Sequence, residues 1–269
     1  MPELPEVETI KIALQSIILS EIVSVNVYCV RLRYPINTTQ LKQQTKQILH
    51  IKRRGKYLLF YLHASGGILI HLGMSGYLRL VDINTSKLKH DHVEFILNNK
   101  QKLVYNDTRR FGCVLYTDDF NTHKLLQNLG IEPLQDNFNA MYLYSRLLMK
   151  NQNIKKCLMD SKLVVGVGNI YANEILFLAK ISPLRIANNI NFSECKSLVI
   201  NIKLVLRKAI NAGGTTLKDF QNVQGETGKF LQKLLIYGKY KENCILCQTQ
   251  IVVLKISQRS SFYCPKCQV

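Results

Sequence analysis

No stretch of this chain approaches the roughly 18 uninterrupted apolar residues of a membrane-spanning helix, so no membrane partner is expected. The opening run Met1-Pro2-Glu3-Leu4-Pro5-Glu6 lacks a basic flank and an apolar stretch, which argues against a secretory signal. Internal repeats and low-complexity tracts are missing too. Acidic side chains are scarce: 18 Asp and Glu face 36 Lys and Arg, a formal net charge of +18. A chain this basic suits a polyanionic partner, either nucleic acid or an anionic surface. Hydrophobic residues make up 47% of the chain, enough for one large core or two modest ones. Of the eight cysteines, Cys29, Cys113, Cys157 and Cys195 are scattered, whereas Cys244, Cys247, Cys264 and Cys267 crowd together near position 269. That distribution fits a reducing cytosol and one metal site better than a disulfide framework, so a cytoplasmic protein is expected.

The hydrophobic period changes along the chain. Val7, Ile10, Leu14, Ile17 and Ile18 recur at helical spacing, and Pro5 stands where a first-turn proline is tolerated. Residues 22–120 read as strands. Val23, Val25, Val27 and Cys29 alternate, Tyr57–Leu62 and Ile68–Leu72 are short apolar runs, and Val93–Leu97 and Lys102–Tyr105 flank an Asn98-Asn99-Lys100 turn. Their number points to an antiparallel β-sandwich. After Gly130-Ile131-Glu132-Pro133, helices are expected over Met141–Lys150, Ile154–Asp160, Asn169–Lys180 and Ser193–Ala212, the last capped by Ser193 and ended by Gly213-Gly214. Thr215–Lys229 is polar and reads as a mobile loop. The expected class is α+β, divided into an N-terminal catalytic domain (1–130), a helical domain (131–225) and a finger (226–269).

The cysteine cluster spells Cys-x2-Cys-x16-Cys-x2-Cys. Two short-range pairs can each clamp one side of a tetrahedral ion, and thiolate sulfur suits Zn²⁺. Between them a hairpin is expected, Ile251–Ile256 and Ser261–Tyr263 joined by Ser257-Gln258-Arg259-Ser260, with Arg259 at its tip. So small a unit cannot bury a sufficient core alone, so one structural zinc should supply much of its stability.

If the initiator Met is removed, Pro2 presents a secondary amine. Free α-amino groups titrate near pH 8, far below lysine, so a useful neutral fraction exists under physiological conditions. A secondary amine attacking a sugar carbon gives an iminium that cannot be neutralised by losing a proton from nitrogen. That cation acidifies the neighbouring carbon and promotes elimination of phosphate. Glu3 and Glu6 lie close by in sequence, and one protonated carboxyl would serve as general acid in ring opening. By composition alone the same residues are an ordinary helix start.

Met1-Pro2-Glu3-Leu4-Pro5-Glu6-Val7-Glu8-Thr9 resembles the opening of formamidopyrimidine-DNA glycosylases. The likeness continues, in order, through Lys52–Leu59, His71–Gly76, Asp107–Gly112, Leu163–Glu174, Gly213–Phe220 and Gln258-Arg259 before Phe262-Tyr263-Cys264. The resemblance implies an N-terminal β-sandwich with a flanking helix, then a helix–two-turns–helix domain with a zinc-ribbon finger. It implies a monomeric repair enzyme acting on damaged double-stranded DNA, which excises oxidised purines such as 8-oxoguanine and formamidopyrimidines and cleaves the strand by β,δ-elimination. By the same resemblance Pro2 is the Schiff-base nucleophile and Glu3 the proton donor. Lys56 contacts the lesion-strand phosphate, and Arg259 grips phosphates and assists the δ step. Met74, Arg109 and Phe111 match the residues that fill the gap left by the extruded nucleotide, whose removal loses stacking worth a few kcal/mol. His90, Lys150, Lys155 and Asn169 match positions that contact DNA or lesion, and Asn169 stands either to cap its helix or to bind the backbone.

The chain departs from the pattern at Lys156 and Thr108, where proline is common, and at Lys229, often aromatic. These bear on the lesion spectrum more than on the reaction type. Two other readings compete. One is the pyrimidine-directed endonuclease VIII type, which usually carries Gly where Leu4 stands. The other is a zinc-ribbon DNA-binding protein without catalysis, which does not require a free Pro2 amine.

Overall fold

The computed structural model describes residues 1–44, 46–63, 66–215 and 230–269. It divides into two compact units, Met1–Asn128 with Ala212–Lys229, and Leu129–Asn211 with Phe230–Val269.

In the first unit a helix α1 (Leu4–Ala13) runs into a 3-10 turn (Leu14–Ile17), followed by β1 (Ile22–Val27) and a short α2 (Thr38–Gln44). Seven further strands follow: β2 (Ile48–Arg54), β3 (Tyr57–Leu62), β4 (Gly67–His71), β5 (Tyr77–Asp82), β6 (Asp91–Leu97), β7 (Gln101–Asn106) and β8 (Cys113–Thr117). They form two four-stranded sheets, ordered β1-β6-β7-β5 and β2-β3-β4-β8, with every pairing antiparallel. The core lies between them. Val25, Phe95 and Tyr105 come from one sheet, Ile51, Phe60 and Ile70 from the other, and Val7 and Ile10 of α1 and Leu14 of the 3-10 turn pack against them. The expected sandwich and flanking helix are both present. The first strand differs in detail. Its register shifts between Ile22 and Ser24, so Ile22 and Val25 turn inward and Val23 is 56% exposed. A bulge breaks the simple alternation that placed Val23 and Val25 on one face. Asn98-Asn99-Lys100 is the β6–β7 turn, with Lys100 at φ 61°.

A short α3 (Lys124–Gln127) closes the first stretch of the first unit, and the second unit is built from α4 (Ala140–Leu147), α5 (Ile154–Leu158), α6 (Asn169–Leu178) and α7 (Phe192–Asn211). The hairpin β9 (Val252–Ile256) and β10 (Arg259–Tyr263) follows. α7 packs on α4 and α6, and α6 packs on β10. The cap of α7 is Asn191 rather than Ser193. Asn191 Oδ1 accepts the Glu194 N–H at 2.9 Å, and Glu194 Oε2 accepts the Asn191 N–H at 2.9 Å. This reciprocal pair starts the helix one residue early and leaves no backbone donor for Ser193 to serve. The hairpin turn is only two residues long. Ser257 and Gln258 have φ of 48° and 62°, as a tight hairpin turn with matching twist requires, so Arg259 opens β10 opposite Ile256 rather than sitting in the turn. Among the described residues no helix is long and apolar enough to cross a membrane. Most of the segment expected to be a mobile loop, and Lys229 with it, lies outside the described residues.

Candidate active site and nucleic-acid interface

Pro2 and Glu3 are buried at the start of α1, where Glu3 is the N-cap. What fixes them is Glu6. Its Oε2 accepts the Glu3 N–H at 2.8 Å, and its Oε1 accepts the N–H of Thr215 at 2.7 Å and the Thr215 hydroxyl at 2.9 Å. One buried carboxylate thus ties the first turn to a segment more than 200 residues away. Gly214 must be glycine here. Its φ is +79°, and a Cβ would stand 2.9 Å from Glu6 Oε1.

Lys56 lies in the two-residue β2–β3 turn, between the paired Arg54 and Tyr57. Arg53 braces this turn: its Nη1 donates to Gly55 O at 3.0 Å and its Nε to Glu8 Oε2 at 2.6 Å, linking the turn to α1. Burial raises the Glu8 carboxyl, but hydrogen bonds from Lys11 and Arg53 outweigh it and hold Glu8 below the usual range. His71, opposite Tyr57 and in ring contact with it, accepts the Gly73 N–H on Nδ1 at 3.0 Å. A neutral His71 therefore carries its proton on Nε2 and presents a donor there. Burial, and then the charges of Lys56 and Arg33, lower its pKa to about 4.

Met74, Arg109 and Phe111 project from two loops that a single buried carboxylate organises. Asp107 accepts the Ser75 hydroxyl at 2.6 Å, the Tyr105 hydroxyl at 3.1 Å, the Gly112 N–H at 2.9 Å and the Arg109 N–H at 3.2 Å. Its carbonyl also meets His92 Nε2 at 2.8 Å. The loops approach so closely that a Cβ on Gly73 would lie 2.4 Å from the Gly112 nitrogen. With its own backbone groups satisfied inward, the pair of loops turns Met74 (42% exposed) and Phe111 (47% exposed) outward, and the Arg109 guanidinium sits 4.7 Å from the Phe111 ring centre. His90 joins the same knot through its carbonyl, which accepts the Asp107 N–H at 3.1 Å. It adopts φ 72° and lies edge-on to His92.

In the second unit Gly168 is the N-cap of α6 and Asn169 is its first helical residue, so Asn169 does not cap the helix. Its Oδ1 is buried without a partner among the described residues. The β9–β10 hairpin is pinned from two helices. Lys155 of α5 donates to Ser260 O at 3.0 Å and to Ser261 Oγ at 2.7 Å, and Asn173 Oδ1 of α6 accepts the Phe262 N–H at 2.7 Å. Lys155, expected among the DNA contacts, is 1% exposed and spends its ammonium on the hairpin. Arg259 is exposed, and Lys150 is half-buried just after α4. Glu174 of α6 accepts the backbone N–H groups of Leu235, Ile236 and Tyr237 at 2.8–3.0 Å, holding the approach to the finger. There the sulfurs of Cys244, Cys247, Cys264 and Cys267 all lie within 4.8 Å of one another. Four sulfurs about 2.3 Å from a tetrahedral ion would be about 3.8 Å apart, so this set can hold a metal ion.

Comparison with known proteins bears on the same residues. The family model of the formamidopyrimidine-DNA glycosylase N-terminal domain matches residues 1–114, and that of the formamidopyrimidine-DNA glycosylase H2TH domain matches residues 129–221. The formamidopyrimidine-DNA glycosylase of Ruthia magnifica is 48% identical over 270 residues, and that of Escherichia coli strain 55989 is 46% identical over 269, each alignment covering both chains entirely. This chain belongs to the formamidopyrimidine-DNA glycosylase family. Among solved structures, the Lactococcus lactis glycosylase in complex with DNA containing a formamidopyrimidine lesion superposes with a TM-score of 0.92 at 34% identity, covering 99% of each chain. That structure is of a point mutant; the Lactococcus lactis protein in complex with DNA containing an abasic site gives 0.91.

For this family member, sequence reading missed three groups that organise the site: Glu6 as a latch, Asp107 as the loop organiser and His71 as a neutral donor beside Lys56. Asp107 had a local signal, an Asx residue ahead of a Thr-Arg-Arg turn. The Glu6–Thr215 pairing had none.

Proposed function

We propose that this chain excises oxidised purines, 8-oxoguanine and formamidopyrimidines, from double-stranded DNA and then cleaves the strand at the resulting site, acting as a monomer in the bacterial cytosol. The observation that carries the reading is the full-length family match, joined to a Pro2-Glu3 turn held in place by Glu6.

Once Met1 is removed, the Pro2 nitrogen attacks C1′ of the extruded nucleotide and the glycosidic bond breaks, its electron pair leaving with the base. Glu3 protonates the departing base, takes up the proton lost from the Pro2 nitrogen and delivers it to O4′ as the C1′–O4′ bond breaks and the ring opens. The iminium left on Pro2 acidifies C2′. Loss of that proton expels the 3′ phosphate, and a second elimination expels the 5′ phosphate, leaving a gap bounded by phosphates. Lys56, with His71 beside it as an uncharged donor, holds the lesion-strand phosphate, and Arg259 grips phosphate and assists the second elimination. Met74, Arg109 and Phe111 occupy the vacated stack, the guanidinium facing the orphaned base. His90, Lys150 and Asn169 add contacts to DNA, Asn169 with an amide whose oxygen has no partner among the described residues. Lys155 serves by positioning the hairpin that bears Arg259. The four thiolates of the finger hold one Zn²⁺, which stabilises that hairpin and takes no part in the chemistry.

Borohydride reduction tests this directly. Met-processed protein mixed with a duplex containing 8-oxoguanine should give a covalent protein–DNA adduct, and its absence would leave only a DNA-binding protein. Faster release of thymine glycol than of 8-oxoguanine would move the chain to the pyrimidine-directed reading.

A further inference from the structure

A cleft of about 300 Å³ opens beside the β9–β10 hairpin, lined by Lys155, Lys156, Met159, Asp160, Ile256, Ser257 and Arg259. Its two ends of chemistry are distinct. Met159 and Ile256 give an apolar wall, and Lys156 and Arg259 are exposed cations. Among the described residues neither cationic head has a hydrogen-bond or ion-pair partner. Asp160 is the one carboxylate in the lining, and its Oδ1 accepts the Lys162 N–H at 2.9 Å. The floor is rigid, because Lys155 bonds to Ser260 and Ser261 and so fixes Arg259 relative to α5, which also carries Lys156.

We propose that this cleft seats one sugar–phosphate unit of a DNA strand, with the deoxyribose against Met159 and Ile256 and its two flanking phosphates on Lys156 and Arg259. Three features select this occupant. The volume far exceeds the roughly 30 Å³ share of a water molecule and accommodates a sugar with its phosphates. The apolar wall suits a deoxyribose rather than a bare inorganic ion. A strand supplies anions on both sides of each sugar, which matches two cations fixed on one scaffold. Lys156 thereby becomes a binding residue in its own right. Its contact is to backbone, so it adds affinity without reading sequence or lesion. The inference rests on the reading of this chain as a DNA-binding enzyme.

Fluorescence anisotropy of zinc-loaded, full-length protein tests it, with intact and lesion-bearing duplexes titrated at several salt concentrations. Lys156→Gln should weaken binding about five- to tenfold at 0.1 M salt and make the log–log salt dependence shallower by about one, equally for both duplexes. Lys156→Arg should restore both, and the melting temperature and zinc content should not move. A wild-type protein whose binding ignores salt would overturn the DNA-binding reading itself. Steep wild-type dependence with an unchanged Lys156→Gln variant would overturn the cleft alone. So would a defect confined to the lesion duplex, because that would make Lys156 a lesion contact.

Discussion

The two regions that present the candidate functional side chains are secured in opposite ways. In the N-terminal unit, buried carboxylates gather backbone and hydroxyl donors: Glu6 fixes the Pro2-Glu3 turn, and Asp107 fixes the loops of Met74, Arg109 and Phe111. Both stand on a broad core between two sheets. Among the described residues, the core beneath the finger that carries Arg259 consists of Phe177, Ile236, Cys244, Ile251 and Cys264 with a few half-buried neighbours, and two of those five are thiols of the set that can hold a metal ion. A region with a large core can organise loops by hydrogen bonds alone, whereas a hairpin with so little apolar burial needs an ion.

Metal removal should expose that contrast most strongly. Chelation should abolish amide protection across β9–β10 and reduce strand cleavage by at least about a hundredfold, while the β3–β4 amides stay protected. Hydrogen exchange reads both regions at once, and a hairpin still protected without metal would break the comparison. Asp107→Ala should be the most damaging single change in the N-terminal unit. It leaves the Ser75 hydroxyl and the Gly112 N–H without the acceptor they use here, and leaves the Arg109 N–H and the Tyr105 hydroxyl only their second acceptors, Ser75 Oγ and the His71 carbonyl, at a cost of about 3–5 kcal/mol in thermal or denaturant unfolding. A loss under about 1 kcal/mol would show the loops to be held by packing instead.

The smallest effect concerns His71. Its folded pKa of about 4 lies below the unfolded value near 6.5, so the unfolded chain binds the proton first as pH falls. Its contribution is intact above pH 6.5 and is lost progressively towards pH 4. By pH 5.5 the loss should be about 1 kcal/mol, and His71→Gln should flatten that part of the stability profile. A profile unchanged by the substitution would mean that His71 titrates normally.

Local patterns in the sequence foretold a good part of this architecture. The cysteine spacing located the metal set, the 3.6-residue stripe located α7, and glycines marked the loops from which Met74 and Phe111 emerge. Long-range pairing was illegible for physical reasons. The Glu6–Thr215 bonds join residues 209 apart, and the order β1-β6-β7-β5 needs contacts that no local period encodes. The burial of Lys155 was hidden for a related reason. A lysine is normally solvated, and here Ser260 and Ser261 arrive from a distant hairpin to accept from the buried ammonium. The β1 bulge and the Asn191 cap were local, but each turns on a one- or two-residue shift that composition does not fix.

The account depends on the Pro2 nitrogen being the atom that bonds to sugar. Borohydride-reduced complex with an 8-oxoguanine duplex, digested and read by mass spectrometry, should carry the sugar remnant on the peptide that begins at Pro2. A remnant on Lys56, or on any other lysine, would contradict it.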